Sequence, residues 1–257
     1  MVNLDTILRL EERAFRGWPA LETRDFAGWR QRFAGGYTKR SNSINSLSPE
    51  SRFDPEIVSD LEAPYLARGQ APIWRLTPLA PSGIAELLEA RGYQAIEHSL
   101  LQVCPLDSSF AMDAEVQISP HPTPAWIQAF CTYSPVQPRH RETMQRMLAA
   151  IAAPAGFALV SSAGRPMAMA IGAVEGDHMG LFDVLVMPEA RRRGLARRVT
   201  ESLYSWAWTH GARLSPGRRH QRRRAAALCR PGVSNRLRLQ VSRAAFPVSL
   251  HGRRPAA

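Results

Sequence analysis

Two linked α/β halves are the architecture this chain predicts, and three observations predict it. Residues 180–209 pass from an apolar run through Pro188 and an Arg/Gly-rich turn into an amphipathic segment, the order strand, turn, helix. Helix and strand signals alternate between residues 4 and 103, and alternate again between 126 and 211. Between the two series, Pro105, Pro120, Pro122 and Pro124 punctuate the chain. The expected division is therefore a first half over 1–104, a Pro-rich linker over 105–125, a second half over 126–212, and a separate tail over 213–257.

Each element has a local reason. Leu4, Ile7, Leu8 and Phe15 form one helical stripe from Leu4 to Phe15. Gly35-Gly36 opens a polar extended stretch, Tyr37 to Leu47, where contacts to a substrate or partner are expected. Asp54-Pro55-Glu56 starts a helix: a capping carboxylate, Pro at the first helical position and an acid for the dipole. That helix should end near Gly69. Pro72 to Thr77 reads as a strand, and Ser82 as the cap of a helix through Arg91 closed by Gly92. Tyr93 to Val103 is extended. In the second half, Ala125–Tyr133 and Arg139–Ile151 read as helices. Phe157–Ser162 and Met167–Val174 form a hairpin around Ala163-Gly164-Arg165-Pro166. Gly180–Val186 is a third strand, and the helix after the turn runs to Gly211 with Leu195, Val199, Leu203 and Trp206 facing inward. Trp208 lies on the opposite side and should be partly exposed.

The turn between that strand and helix is the most informative segment. Backbone N–H groups at a Gly-containing turn and the free N–H groups of a helix's first turn converge on one point, a place for a pyrophosphate. Gly194 and Ala196 keep side chains clear of it, and Arg191, Arg192 and Arg193 add positive charge. The spacing Arg191-x-x-Gly194-x-Ala196 after a strand and Pro188 resembles the acetyl-CoA loop of the GNAT N-acetyltransferases. The resemblance implies an α/β GNAT fold, with two GNAT-like halves because Leu87-Leu88-Glu89-Ala90-Arg91-Gly92-Tyr93-Gln94 looks like a degenerate copy of a family segment. It also implies acetyl-CoA as cosubstrate and transfer of its acetyl group to an amine acceptor. Arg191, Arg192, Arg193, Gly194, Leu195 and Ala196 would hold the pyrophosphate, and Val184, Leu185 and Val186 the pantetheine arm. Asp183 is the candidate general base, because it interrupts an apolar strand beside the turn. A structural hydrogen bond at a strand edge is the competing account of it. Glu175 and His178 either line the acceptor site or are solvated turn residues.

Charge is distributed unevenly. The chain carries +11, yet residues 213–257 hold 12 Arg, no Lys and no acid, so the remainder has 21 basic residues against 22 acidic ones. A GNAT domain should continue past Ala212 with a strand, a helix and a last hairpin. Arg213-Leu214-Ser215-Pro216-Gly217-Arg218-Arg219 shows almost no strand character. The second half is thus expected to lack those elements. A functional basic tail, a disordered tail and a sequence translated out of frame are the three readings. Back-translation favours the last. Legitimate codons for residues 213–222, read from the second base, give AYLQVVAIN, and residues 224–243 in the same offset give ARRLYAGLGFRTGYGYKYR. These resemble the absent strand, the family's acidic Tyr and a Tyr-rich hairpin, all in one frame. As written, the chain lacks that Tyr and is expected to have impaired activity.

Other classes are bounded more simply. Twelve Arg without an acid would bind phosphates non-specifically, so a nucleic-acid-binding protein using residues 213–254 is the competing class. A non-catalytic acyl-CoA-binding regulator is a third reading. No 18-residue apolar run or signal-peptide pattern occurs, so no membrane partner and a cytoplasmic location are expected. Cys104, Cys131 and Cys229 have no metal-ligand spacing, and no metal is expected.

Overall fold

The computed structural model describes residues 3–134, 136–152, 154–220 and 238–245. Helix α1 (Leu4–Gly17) starts where the Asn3 side chain accepts from the Asp5 N–H, and turns Ile7, Leu10 and Phe15 inward. Strands β1 (Glu22–Phe26) and β2 (Trp29–Phe33) follow as a hairpin not anticipated above. Its two-residue turn, Ala27 and Gly28, is left-handed at both positions, as a tight hairpin requires, but only the second is glycine. Strand β3 (Ser43–Ser46) occupies the expected polar stretch, yet every residue in it is buried rather than available for contacts. Helix α2 (Pro55–Leu66) begins as expected, with the Asp54 carboxylate accepting from the Ile57 N–H at 3.0 Å. Strand β4 (Ile73–Leu76), helix α3 (Ile84–Ala90) and strand β5 (Gln94–Pro105) complete the first series. Gly83, with φ +90°, takes the capping position of α3 that was assigned to Ser82.

The Pro-rich stretch is more than a linker. It contains strand β6 (Val116–Ser119), and its Leu106 and Phe110 are buried against the second half. Helices α4 (Pro124–Tyr133) and α5 (Arg141–Ala149), strands β7 (Ala155–Ser162), β8 (Arg165–Glu175) and β9 (His178–Val186), and helix α6 (Leu195–Thr209) match the expected order. Beyond α6 the written tail departs from its reading: the backbone of residues 214–220 forms strand β10 (Leu214–His220), and 238–245 form β11 (Arg238–Ala245). The expected last helix and the rest of the Arg-rich arm, including Cys229, lie outside the described residues.

All eleven strands join one sheet in the order β1-β2-β3-β4-β11-β5-β10-β9-β8-β7-β6. The order contains the same unit twice. Antiparallel β1-β2-β3 cross through α2 to β4, which is parallel to β3; antiparallel β7-β8-β9 cross through α6 to β10, which is parallel to β9. A right-handed strand–helix–strand crossover needs the intervening helix in each case. Strand β5 lies between the units and pairs antiparallel with both β11 and β10, Leu101 facing Leu239 on one side and Arg218 on the other. The two halves are therefore sewn together by β5 and β11. One apolar core sits under the first half, around Trp29, Trp74 and Tyr65, and a second, around Trp126, Phe157 and Leu203, also takes in Trp18, Ala34 and Tyr37 of the first half.

Candidate functional site

The site grows from β9. Opposite β8, Leu185 faces Met169 and Phe182 faces Ile171, so Asp183 and Val184 together face Ala170. This is a β-bulge, and Asp183 sits in it with φ +45°. Bulges redirect the strand and re-aim side chains. Along its other edge, β9 meets β10 at one register pair only, Leu214 with His178, reinforced by the Ser215 hydroxyl donating to the Met179 carbonyl at 2.9 Å. From there β10 follows β5 instead, leaving β9 through seven register pairs with that strand. The β10-facing edge of Val184, Leu185 and Val186 therefore has no ladder partner among the described residues. These three residues remain half-buried.

The turn after β9 prepares a convergence of donors. Pro188–Ala190 form one 3-10 turn, Arg192 and Gly194 are left-handed at φ +63° and +75°, and Gly194 caps α6. Among the described residues, the N–H groups of Arg192 through Ala196 donate to no backbone carbonyl. A Cβ added to Gly194 would meet nothing within 4 Å. The glycine is thus required by its backbone angle, and open space lies above it. Arg191, Arg192 and Arg193 are exposed, with the Arg191 Nε donating to the Val186 carbonyl at 3.3 Å. Arg198, by contrast, is consumed by Asp113 (2.6 Å) and Glu115, fastening α6 to the stretch before β6. Leu195, Val199 and Leu203 are buried as expected, whereas Trp206 is half-buried, like Trp208.

On the α1 side of β9 lies a recess lined by Leu10, Arg13, Arg40, Glu175, His178 and Phe182, with Pro216 of β10 at its edge. Glu175 and His178 end β8 and begin β9, and both line this recess. Neither is a free solvated group: Glu175 is held by Arg16 at 2.6 Å, and the His178 ring bridges Asp177 (2.6 Å) and Arg13 (3.2 Å). An Arg13 N–H toward His178 Nε2 fixes the proton on Nδ1, and burial lowers the imidazole below its ordinary value, opposed by Asp177. Burial pushes the Asp183 carboxyl above the usual carboxylate range, with the Arg40 guanidinium working against the shift. Burial, with Asp183 adding to it, also raises the Tyr37 phenol well above its ordinary value. Sequence reasoning pointed to the stretch Tyr37 to Leu47 without assigning Tyr37 or Arg40 a role. They belong to the first half and reach β9 only through the joined sheet, so no local pattern could pair them with Asp183.

A family model described as "Probable histone acetyltransferase Rv0428c C-terminal" matches residues 5–230. The chain belongs to this family of GNAT N-acetyltransferases. An N-acetyltransferase of Bacillus subtilis strain 168, YobR, whose name carries the word uncharacterized, is 23% identical over 218 residues, covering 81% of this chain and 86% of that protein. Among solved structures, the GCN5-related N-acetyltransferase from Kribbella flavida superposes with a TM-score of 0.64 at 16% identity, over 93% of this chain and 95% of that one. A tandem GNAT protein from the clavulanic acid biosynthesis pathway gives a TM-score of 0.56 at 14% identity, over 95% and 88%. The likeness to these structures is one of fold. As a GNAT acyltransferase, the chain presents its bulged strand, its splayed edge and its Gly-capped helix in consecutive residues 183–196. No helix among the described residues is long and apolar enough to cross a membrane.

Proposed function

We propose that this GNAT enzyme transfers an acetyl group from acetyl-CoA to an amine, using residues 183–196 for the donor and the recess beside α1 for the acceptor. The observation that carries this reading is the coincidence of three features: the bulge at Asp183–Val184, the unpartnered edge of Val184–Val186, and five consecutive N–H groups without backbone acceptors at Arg192–Ala196. The chain's own groups fit such a donor. The N–H groups and Arg191, Arg192 and Arg193 suit a pyrophosphate, and the free strand edge suits the amides of pantetheine. When bound, acetyl-CoA supplies a thioester whose C–S bond breaks as the acceptor nitrogen bonds to the acyl carbon. Asp183 takes the proton that the ammonium form must lose before attack, and burial raises its carboxyl above the usual carboxylate range, which strengthens it as a base. The products are the amide and the free thiol of CoA.

Gly194→Glu tests the donor site. A bulky anion would stand where the phosphates approach, on a backbone angle costing about 1–2 kcal/mol for any residue with a Cβ. Loss of acetyl-CoA binding in calorimetry, with the fold retained by circular dichroism, is the expected result. Unchanged affinity would remove the assignment.

A further inference from the structure

The recess beside α1 encloses about 30 Å³, room for an ammonium group but not for the body of a substrate. The loop that places Arg40 in its lining, residues 34–42, reaches in the other direction to the start of α5. Two buried side chains hold this loop. Asn42 accepts from the Ala34 and Gly36 N–H groups at 2.8 and 3.0 Å and donates to the Thr38 carbonyl at 2.8 Å, and Arg32 donates to the Arg40 carbonyl at 2.8 Å. The loop presents Gly35 and Gly36, both exposed and left-handed at φ +55° and +82°. A Cβ on Gly36 would lie 3.9 Å from Gln70 Nε2 and 3.9 Å from His140 Nε2, and one on Gly35 would lie 3.4 Å from Thr143 Oγ1. Polar side chains from the end of α2 and the start of α5 thus converge on bare backbone at the seam between the halves. Among the described residues, no hydrogen bond reaches the Gln70 side chain, the His140 ring, the Thr143 hydroxyl or the Gly35 N–H, and Gln70 Oε1 is sealed from solvent. The Tyr37 ring lies beside them, its centroid 5.8 Å from that of His140.

Uncommitted donors and acceptors beside backbone without side chains match an amide, which offers one C=O and one N–H on adjacent atoms. We propose that the acetyl acceptor carries an amide group, which rests on Gly35-Gly36 between Gln70, His140 and Thr143 while its amine enters the recess. This rests on the acceptor site assigned under the proposed function and adds the chemical class of the substrate. Gln70 Nε2 donates to the amide oxygen, and the Gly35 N–H and the Thr143 hydroxyl stand next to it as further partners. Burial, with Arg139 adding to it, holds the His140 imidazole below its ordinary value, so near neutrality the ring offers one donor and one acceptor, as the amide does. Side chains at Gly35 or Gly36 would occupy the ligand's place and would meet a left-handed backbone angle. An amine without an amide leaves all these groups to water.

Calorimetry on the full chain tests this with mono-N-acetylated diamines of two to six methylenes, Nα-acetyl-L-lysine methylamide and plain alkylamines of matching length, alongside coenzyme A as an independent ligand. The best amide-bearing amine should bind about tenfold or more tightly than its alkylamine, the sum of two ordinary hydrogen bonds. Gln70→Ala combined with His140→Ala should erase that preference, with coenzyme A affinity unchanged and the fold retained by circular dichroism. A preference shared by the acetylated diamines assigns an isolated amide, and one confined to the lysine derivative assigns a peptide backbone; either upholds the proposal. Equal binding of amide-bearing and plain amines overturns it, as does absence of binding by every amide-bearing amine, or a preference that survives the double variant. If coenzyme A itself fails to bind the unaltered chain, the donor-site reading falls instead. A drop in coenzyme A affinity in the double variant would make Gln70 and His140 structural supports and also overturn the amide role.

Discussion

Asp183 shows how one residue can be anomalous in three ways at once. It is the polar interruption of an apolar strand, it occupies a bulge with φ +45°, and its carboxyl is raised by burial. Each of these costs stability, and non-glycine residues held left-handed persist where their surroundings over-determine them. The pH consequence follows from the raised value. Below the ordinary carboxylate range the group is protonated in folded and unfolded chains alike, and its contribution to stability is fully present. As pH rises the unfolded chain ionises first, so that contribution is lost until the folded carboxyl ionises too. Asp183→Asn should therefore be more stable than the parent at pH 8 and equal to it near pH 3, as read by denaturant titration at the two pH values. In acetyl-transfer assays of any accepted amine, the same variant should lose about 10²-fold or more in kcat and lose the acid limb of the pH profile. Retention of that limb would assign the base elsewhere.

At the scale of elements, the fold depends on how α1 is fastened to the sheet. Glu11 of α1 and Arg75 of β4 form a two-pronged ion pair, one arm at 2.7 Å, with both side chains almost wholly buried. Asn45 of β3 lies beside it at 3.5 Å from the guanidinium. Burying such a pair is costly, but breaking it costs more, because one charge is left in a dry interior. Glu11→Ala should destabilise the chain by about 3–5 kcal/mol. Replacing both residues by Met should restore most of that loss, as measured by chemical unfolding. A double variant as unstable as the single one would mean that the pair supplies net attraction rather than cancelling a burial cost. The same attachment shapes the recess beside β9, since α1 forms one of its walls. Helix α6 is easier to account for: Leu195, Val199 and Leu203 recur at helical spacing, and Gly156 and Gly172 make room beneath Leu203.

For the whole molecule, the decisive feature is that neither half closes its own sheet. Strand β5 follows the first crossover yet pairs with β10, and β11 returns from the end of the chain to lie between β4 and β5. The written tail thus supplies strands at 214–220 and 238–245, near the places where the shifted reading frame puts its own strand and hairpin. We infer that the gene across the codons for Thr209 to Arg243 contains one offset base. Sequencing of genomic DNA should reveal AYLQVVAIN and ARRLYAGLGFRTGYGYKYR in that offset, and the restored chain should bind acetyl-CoA more tightly than the written one. A confirmed written frame with no such peptides would make the Arg-rich tail genuine. Retention on DNA that weakens steeply with salt would then be its expected property.

Local pattern was enough for much of this protein. The helix cap at Asp54, the hairpin at Ala163-Gly164, the buried stripe of α6 and the strand–turn–helix of 180–209 were legible because each is decided by neighbours within a few residues. The β1–β2 hairpin was not, since a left-handed Ala27 hides its turn, and β6 was masked by the surrounding prolines. By itself, then, the sequence determined two α/β series and the Gly-containing turn between strand and helix, features fixed by short-range periodicity and backbone chemistry. Only the tertiary structure decided that β9 bulges at Asp183, that β10 leaves it after one pair, and that the Arg40 guanidinium from the other half lies over the Phe182 ring of β9. Those facts depend on strand register and on contacts between residues more than a hundred positions apart, which no local spacing encodes.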